Sequence, residues 1–237
     1  MASIGRMEKR ILLATTVCTL IAYVLQIIAV CTNEWLISDI PGGLFRNVTG
    51  DYLIQIYGGL WRKCFVTMHN KPGSSSDSED TACSAHQFFP SDDEVLLDKT
   101  IDHQILDYIR TGSAFGIISL VLMLIGHVFA VYTLKRPRYI IKRLTALLHI
   151  MTAVCVLVLN EVFIRTTEYS TSKLPGSRVK NAKLSYGYSF ALSWLVFVVY
   201  VLAGIVFLLM SHKKKTEMAD IVDHLAEEDE PVTIGRI

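Results

Sequence analysis

Hydrophobic residues in this chain come in long unbroken blocks, not at the alternating or one-faced spacing of a soluble domain. Four blocks, Ile11 to Cys31, Ser113 to Leu134, Leu144 to Ile164 and Tyr188 to Met210, contain no proline and have charged residues nearby. Each reaches the roughly 20 residues that a helix needs to cross about 30 Å of hydrocarbon. Over such a run in lipid only a helix satisfies its own backbone N–H and C=O groups, so the pattern predicts four transmembrane helices. The first block follows Arg6, Lys9 and Arg10 and so has the start of a signal peptide. It is too long for a signal core, and no small-residue cleavage site follows it, so it is read as an uncleaved span.

Basic residues set the orientation. They flank the first span, fill the connection between the second and third spans as Lys135, Arg136, Arg138, Lys142 and Arg143, and recur at Lys213-Lys214-Lys215. Basic flanks lie on the cytoplasmic side, which places both termini there. The segment from Arg165 to Ser185 runs against this, with five basic residues opposed only by Glu168. The predicted layout is a cytoplasmic start over 1–10, spans at 11–31, 113–134, 144–164 and 188–210, a cytoplasmic loop at 135–143 and a cytoplasmic tail at 211–237. External loops occupy 32–112 and 165–187.

Inside the first external loop the pattern changes to short β-rich runs. Asn33 to Ile40 and Tyr52 to Met68 contain alternating or β-branched stretches, with Pro41-Gly42-Gly43 as a turn signal between them. They predict a small antiparallel sheet standing on the membrane. Asn47-Val48-Thr49 is an N-glycosylation acceptor that requires exposure on the lumenal side. The polar stretch from Asn70 to Asp80 cannot bury apolar surface and reads as a hairpin tip. After Pro90, a capping box of Ser91 and Glu94 and a helical recurrence of apolar residues predict an amphipathic helix over 91–110 that feeds the second span. Cys64 and Cys83 bracket the polar stretch, and in an oxidising external compartment such a pair is normally a disulfide. Trp35 and Trp61 add large rings to a lobe too small to hold a core of its own.

Trp35, then Gly59-Leu60-Trp61, then Cys64 and Cys83, all in the first external loop of a four-span chain, resemble the signature of the claudin superfamily. That group includes claudins, the peripheral myelin protein group, and the γ subunits of voltage-gated calcium channels with their glutamate-receptor regulatory relatives. The resemblance implies a four-helix transmembrane bundle with a small disulfide-stapled external antiparallel sheet, and it extends to Arg110 at the entry to the second span. Several features are more similar to the γ-subunit branch: the long interval between the cysteines, the sequon ahead of Gly59, the run Ile109-Arg110-Thr111-Gly112-Ser113, and the run Tyr186-Gly187-Tyr188-Ser189-Phe190. The branch implies a plasma-membrane auxiliary subunit that docks sideways on a multi-span channel or receptor. The alternative is a claudin-type junction component that contacts copies of itself in cis or trans and forms or regulates a paracellular barrier. Claudins commonly end in a motif for PDZ domains, but Ile234-Gly235-Arg236-Ile237 has glycine where that motif needs Ser or Thr, which leaves direct PDZ binding unsupported.

Composition agrees with the blocks: 51% of residues are apolar, although 19% are charged and the net charge is only +1. The basic clusters are short juxtamembrane runs, suited to topology and anionic lipid and not to nucleic acid. No catalytic constellation is legible. His69, His86 and His103 join no triad, and neither a phosphate-cradling glycine loop nor zincin spacing occurs, so neither an enzyme nor a cofactor is expected. His127 and His149 lie within spans without further ligands at metal spacing and read as interhelical hydrogen-bonding groups. Gln26 is the strongly polar residue of the first span. Cys18 and Cys155 read as small apolar residues, and Cys31 as a buried free thiol near the end of the first span. Asn160 and Glu161 interrupt the third span, and an intramembrane carboxylate is a functional candidate whose partner is to be named. Arg110, at the same level, is either that partner or an interfacial residue that snorkels. Acidic residues gather around Asp77 to Asp107, and the second loop is basic through Lys173, Arg178, Lys180 and Lys183. This split either steers a partner or is internal complementarity between loops that meet.

Overall fold

A helix α1 (Ala2–Cys31) opens the chain, and three further long helices follow: α2 (His103–Lys135), α3 (Tyr139–Lys173) and α4 (Tyr188–Glu228). The computed structural model describes residues 2–46, 49–69, 79–90, 103–136, 138–173 and 182–228, with 2–5, 173 and 212–228 described by backbone alone. Asn47 of the sequon, residues 70–78 of the polar stretch, the Ser91 capping box and the C-terminal Ile234-Gly235-Arg236-Ile237 lie outside the described residues. So do Arg178 and Lys180 of the second loop. All four helices are long and apolar enough to cross a membrane.

The helices outrun the apolar blocks that predict them. At 35 residues, α3 is about 52 Å long, well beyond the roughly 30 Å of hydrocarbon. It continues nine residues past Ile164, so the first part of the expected second loop is helix and stands outside the apolar stretch as a post. The amphipathic segment before the second span is likewise not separate. From His103 onward it is continuous with α2 through Gly112.

Five antiparallel strands form one sheet in the order β4-β3-β2-β1-β5: β1 (Leu36–Phe45), β2 (Tyr52–Gly58), β3 (Arg62–Met68), β4 (Glu79–Ala85) and β5 (Lys183–Tyr186). Two features depart from expectation. Pro41-Gly42-Gly43 is not a turn but an irregularity inside β1, where the register to β2 jumps between Asp39 and Leu44. Gly42 and Gly43 have φ of 84° and 67°, backbone that glycine adopts without a Cβ clash, so the extra residues bulge out and the strand resumes. The reversal comes later, closed by Arg46 N–H to Asp51 O at 2.9 Å. The second departure is β5, which comes from the second external loop and pairs with β1, setting Asp39 opposite Lys183. The two loops therefore meet within one molecule, and at this pair their opposite charges are neighbours in a single sheet.

Cys64 and Cys83 face each other across β3 and β4 and are joined by a disulfide. β4 is a sheet edge with every residue exposed, so little apolar burial holds it in place. Closing this loop is worth about 3 kcal/mol in the chain-entropy account. Cys64→Ser should therefore release β4 first. The expected result is fast amide hydrogen exchange over 79–85 with little change in β1 and β2, together with reduced delivery to the cell surface. Unchanged exchange in β4 would show that strand pairing alone is sufficient.

Three apolar clusters stack along the bundle. Leu12, Ala130, Ala146 and Phe207 form one end, and Ala22, Met123, Ala153, Val156, Val196 and Tyr200 the middle. Ala29, Val30, Leu159 and Phe190 form the outer end, where Trp35 and Leu60 of the external lobe join them. Alanines recur at the contacts because lipid provides no hydrophobic drive between helices, and close backbone approach must supply the dispersion instead. Cys18 and Cys31 are free and exposed, so Cys31 is not the buried thiol expected, whereas Cys155 is buried. At the other end of the bundle Lys142 is fully buried and pairs with Glu8 of α1. One member of the basic cluster thus ties two helices together instead of facing the membrane surface.

Candidate functional site

The residues singled out by the signature converge where the sheet meets the outer end of α1. The last carbonyls of a helix have no intrahelical donor, and at the rim of a membrane an unpaired carbonyl is costly. Here the two indoles supply the donors. Trp35 Nε1–H donates to Ala29 O at 2.6 Å, and Trp61 Nε1–H donates to Val30 O at 2.8 Å. Thr32 caps Ile28 O with both its N–H, at 3.0 Å, and its hydroxyl, at 2.7 Å. The tryptophans were expected to fill a small core. Their N–H groups also close the helix, a role that spacing along the chain does not reveal.

Trp35 is completely buried, its ring 5.0 Å from that of Phe163 on α3 and 6.2 Å from Phe190 on α4. Its backbone N–H donates to Gly58 O at 3.1 Å, and its carbonyl accepts from Gly187 N–H at 3.0 Å. One residue therefore binds α1, β2, α3 and α4. Leu60 is the matching plug from the sheet, lying against Gly112 and Gly116 of α2. The Ser113 hydroxyl donates to its carbonyl at 3.3 Å.

Close backbone approach explains two glycines. A Cβ on Gly59 would stand 2.6 Å from Thr32 O, and one on Gly187 would stand 2.1 Å from Glu34 O. Both glycines let a strand end pass against the Thr32–Glu34 segment that leaves α1. Gly59 belongs to the signature; Gly187 does not, and it was legible only as part of an aromatic run.

Arg110 has a definite partner, but not Glu161. Its Nε–H donates to Phe88 O at 2.7 Å, its guanidinium lies 4.9 Å from the centroid of the Phe89 ring, and Asp107 is 3.4 Å away on the same helix. Phe88 in turn packs on Trp61, with ring centroids 6.1 Å apart. Arg110 thus holds the chain leaving β4 against α2. Of the two readings of Arg110, the pairing with Glu161 is not made: Glu161 is exposed. Its neighbour Asn160 is wholly buried and accepts a hydrogen bond from the Ser193 hydroxyl at 2.7 Å.

Asn160 belongs to a polar layer. Gln26, Ser119, Asn160 and Ser193, one from each helix, are all fully buried. Each lies between residues of the middle and outer apolar clusters or their flanking contacts. Among the described residues, both polar atoms of the Gln26 amide and Nδ2 of Asn160 have no hydrogen-bond partner. The histidines behave differently from the interhelical hydrogen bonds expected of them. His127 Nδ1–H donates to Met123 O of its own helix at 2.6 Å, while His149 packs its ring against Tyr200 and Phe207.

Outside the spans, His86 Nε2–H donates to Gly59 O at 3.2 Å and so braces the signature turn. Burial lowers its pKa below the ordinary 6.5, the nearby charge of Lys63 lowers it further, and the bond to Gly59 opposes both. The folded protein therefore resists protonating His86 more than the unfolded chain does. Stability is fully present above about pH 6.5 and is lost as pH falls through that value toward the depressed folded pKa. Melting curves at about pH 7.5 and about pH 5.5 should show the drop, and His86→Gln should flatten it. An equal drop in the variant would assign the pH dependence elsewhere.

Comparison with known proteins places this geometry in context. The family described as PMP-22/EMP/MP20/Claudin tight junction matches residues 20–209. Similar proteins include the voltage-dependent calcium channel gamma-7 subunit of Homo sapiens, 25% identical over 191 residues, covering 80% of this chain and 66% of that relative. The gamma-5 subunit of Mus musculus is 24% identical over 221 residues, covering 91% of this chain and 74% of that relative. The gamma-1 subunit of Sus scrofa is 23% identical over 209 residues, covering 83% of this chain and 87% of that relative. This chain thus spans just under two thirds of the length of the gamma-7 relative.

Proposed function

The chain belongs to the PMP-22/EMP/MP20/Claudin tight junction family, and from that premise we propose that it is a non-enzymatic auxiliary subunit of an ion channel or receptor. It docks sideways on a multi-span partner in the plasma membrane, with both termini in the cytoplasm. The observation that carries this reading is that similar proteins over 80–91% of the chain are γ subunits of voltage-dependent calcium channels. The bundle also has surface for such a role. Leu13, Val17 and Leu20 on α1 and Leu195, Val198 and Leu202 on α4 are exposed apolar side chains on helices that can cross a membrane. In lipid such faces gain from a partner only through close packing and polar contacts, which makes docking selective by shape.

The family description also names tight junctions, and β4, exposed along its length, is the kind of sheet edge on which a barrier-forming reading would rely. One paired experiment separates the two. The protein is purified in mild detergent from native tissue, and in parallel it is expressed in cells without junctions and imaged by freeze-fracture. Co-purification with a multi-span channel or receptor and no continuous strands is the expected result. Strands without such a partner would establish the junctional reading instead.

A further inference from the structure

Between one face of the sheet and the outer turns of α2 and α3 lies a cavity of about 520 Å³, within the size range of small-molecule sites. Leu36, Ile56 and Phe65 line it from the sheet, and Ile105, Ile109 and Val162 from the helices. Three threonines on α3 make this wall less polar than the sequence suggests. The hydroxyls of Thr166, Thr167 and Thr171 donate to Val162 O, Phe163 O and Thr167 O at 2.7, 3.0 and 2.9 Å, so their protons are already engaged by their own helix.

One charge interrupts the apolar lining. Lys63 sits opposite Gly58, beside the turn where Gly59 and Leu60 close the foot of the cavity. No carboxylate lines the cavity among the described residues, and Lys63 makes no ion pair among them. Lys63 is exposed and lines the cavity, so its ammonium is accessible to an incoming anion, and the atoms crowding it lower its pKa from the ordinary lysine value. A cation beside an apolar wall with no carboxylate on it is a ready partner for an anionic head group. Upward from Lys63 the apolar wall runs along β2 from Gly58 to Leu53, five strand steps or about 17 Å. The foot lies at Gly112 and Val162, on helices long and apolar enough to cross a membrane.

We propose that this cavity binds a long-chain fatty acid, with its carboxylate on the Lys63 ammonium and its acyl chain laid along the sheet between Phe65 and Ile109. A neutral lipid would fill the apolar wall but forgo the contact with the Lys63 ammonium. The site is independent of which partner the bundle docks against.

The test uses the full chain in lipid nanodiscs, with a fluorescent anthroyloxy fatty acid as probe and oleate or methyl oleate as competitor. Oleate is expected to displace the probe about tenfold more effectively than its methyl ester, the scale of one charge-assisted contact. Lys63→Gln should remove that difference and Lys63→Arg should keep it. Ile109→Trp should block both competitors by filling the cavity, while the size-exclusion profile and the Cys64–Cys83 bond show that the variant is folded. Equal displacement by acid and ester in the parent protein would overturn the proposal by reducing binding to partition into lipid. So would unchanged binding in Ile109→Trp or an acid preference that survives Lys63→Gln.

Discussion

Trp35→Ala should detach the external sheet from the bundle and lower stability by about 3–5 kcal/mol, the range for truncating a large buried aromatic. The side chain is wholly buried between Phe163 and Phe190, so its loss opens a cavity at the point where four elements meet. Part of the effect is polar. The indole N–H is the donor to Ala29 O, and leaving a buried acceptor unpaired costs roughly 1–3 kcal/mol. Trp35→Phe separates the contributions, since it keeps most of the ring and removes the donor. It should fall between the parent protein and Trp35→Ala, at about 1–3 kcal/mol. Thermal unfolding of a fluorescent fusion followed by size exclusion measures both variants. A Trp35→Phe protein as stable as the parent would mean that water or another group caps the helix, and that the tryptophan acts by volume alone.

The second large effect belongs to a glycine outside the signature. Gly187→Ala places a Cβ 2.1 Å from Glu34 O and 2.8 Å from the carbonyl carbon, so backbone must move. What moves is the junction of β5 and α4, because Gly187 N–H bonds to Trp35 O and Ser189 N–H to Glu34 O. The expected result is loss of amide protection over 183–186, with the fifth strand released from β1 and the four-helix bundle intact. Gly42→Ala is the contrasting case. It meets nothing within 4 Å, and its φ of 84° exposes it only to the left-handed penalty of about 1–2 kcal/mol. If Gly187→Ala is no worse than Gly42→Ala, the close approach at Glu34 is not what holds β5 in place.

Residue pairs show why parts of the site were legible and others were not. Asn160 and Glu161 are adjacent and equally unusual in an apolar run, yet one is buried against Ser193 and the other faces outward. Successive helical residues point about 100° apart, so the rotation of α3, set by its packing against α2 and α4, decides which is internal. Arg110 and Glu161 lie at similar depth and have opposite charge. Depth alone does not bring side chains together, and Arg110 faces the carbonyl of Phe88 instead. Lys142 reads as one more basic residue of a cytoplasmic cluster until α1 and α3 are assembled and Glu8 is found beside it.

What the chain determined by itself are properties that sum locally. Four apolar runs of spanning length dictate four helices, because in lipid the backbone has no other way to satisfy its hydrogen bonds. The β-rich runs and the pair Cys64 and Cys83 likewise dictate a small bridged sheet. The tertiary structure decided everything that depends on two distant segments meeting. It recruited β5 across more than a hundred residues to pair with β1, and it turned Pro41-Gly42-Gly43 from a turn into a bulge within a longer strand. It also set the indoles of Trp35 and Trp61 over the end of α1. Strand pairing and helix capping by remote side chains are satisfied by whichever donor arrives with the right geometry. That arrival is fixed by how the helices pack, and no local pattern in the sequence records it.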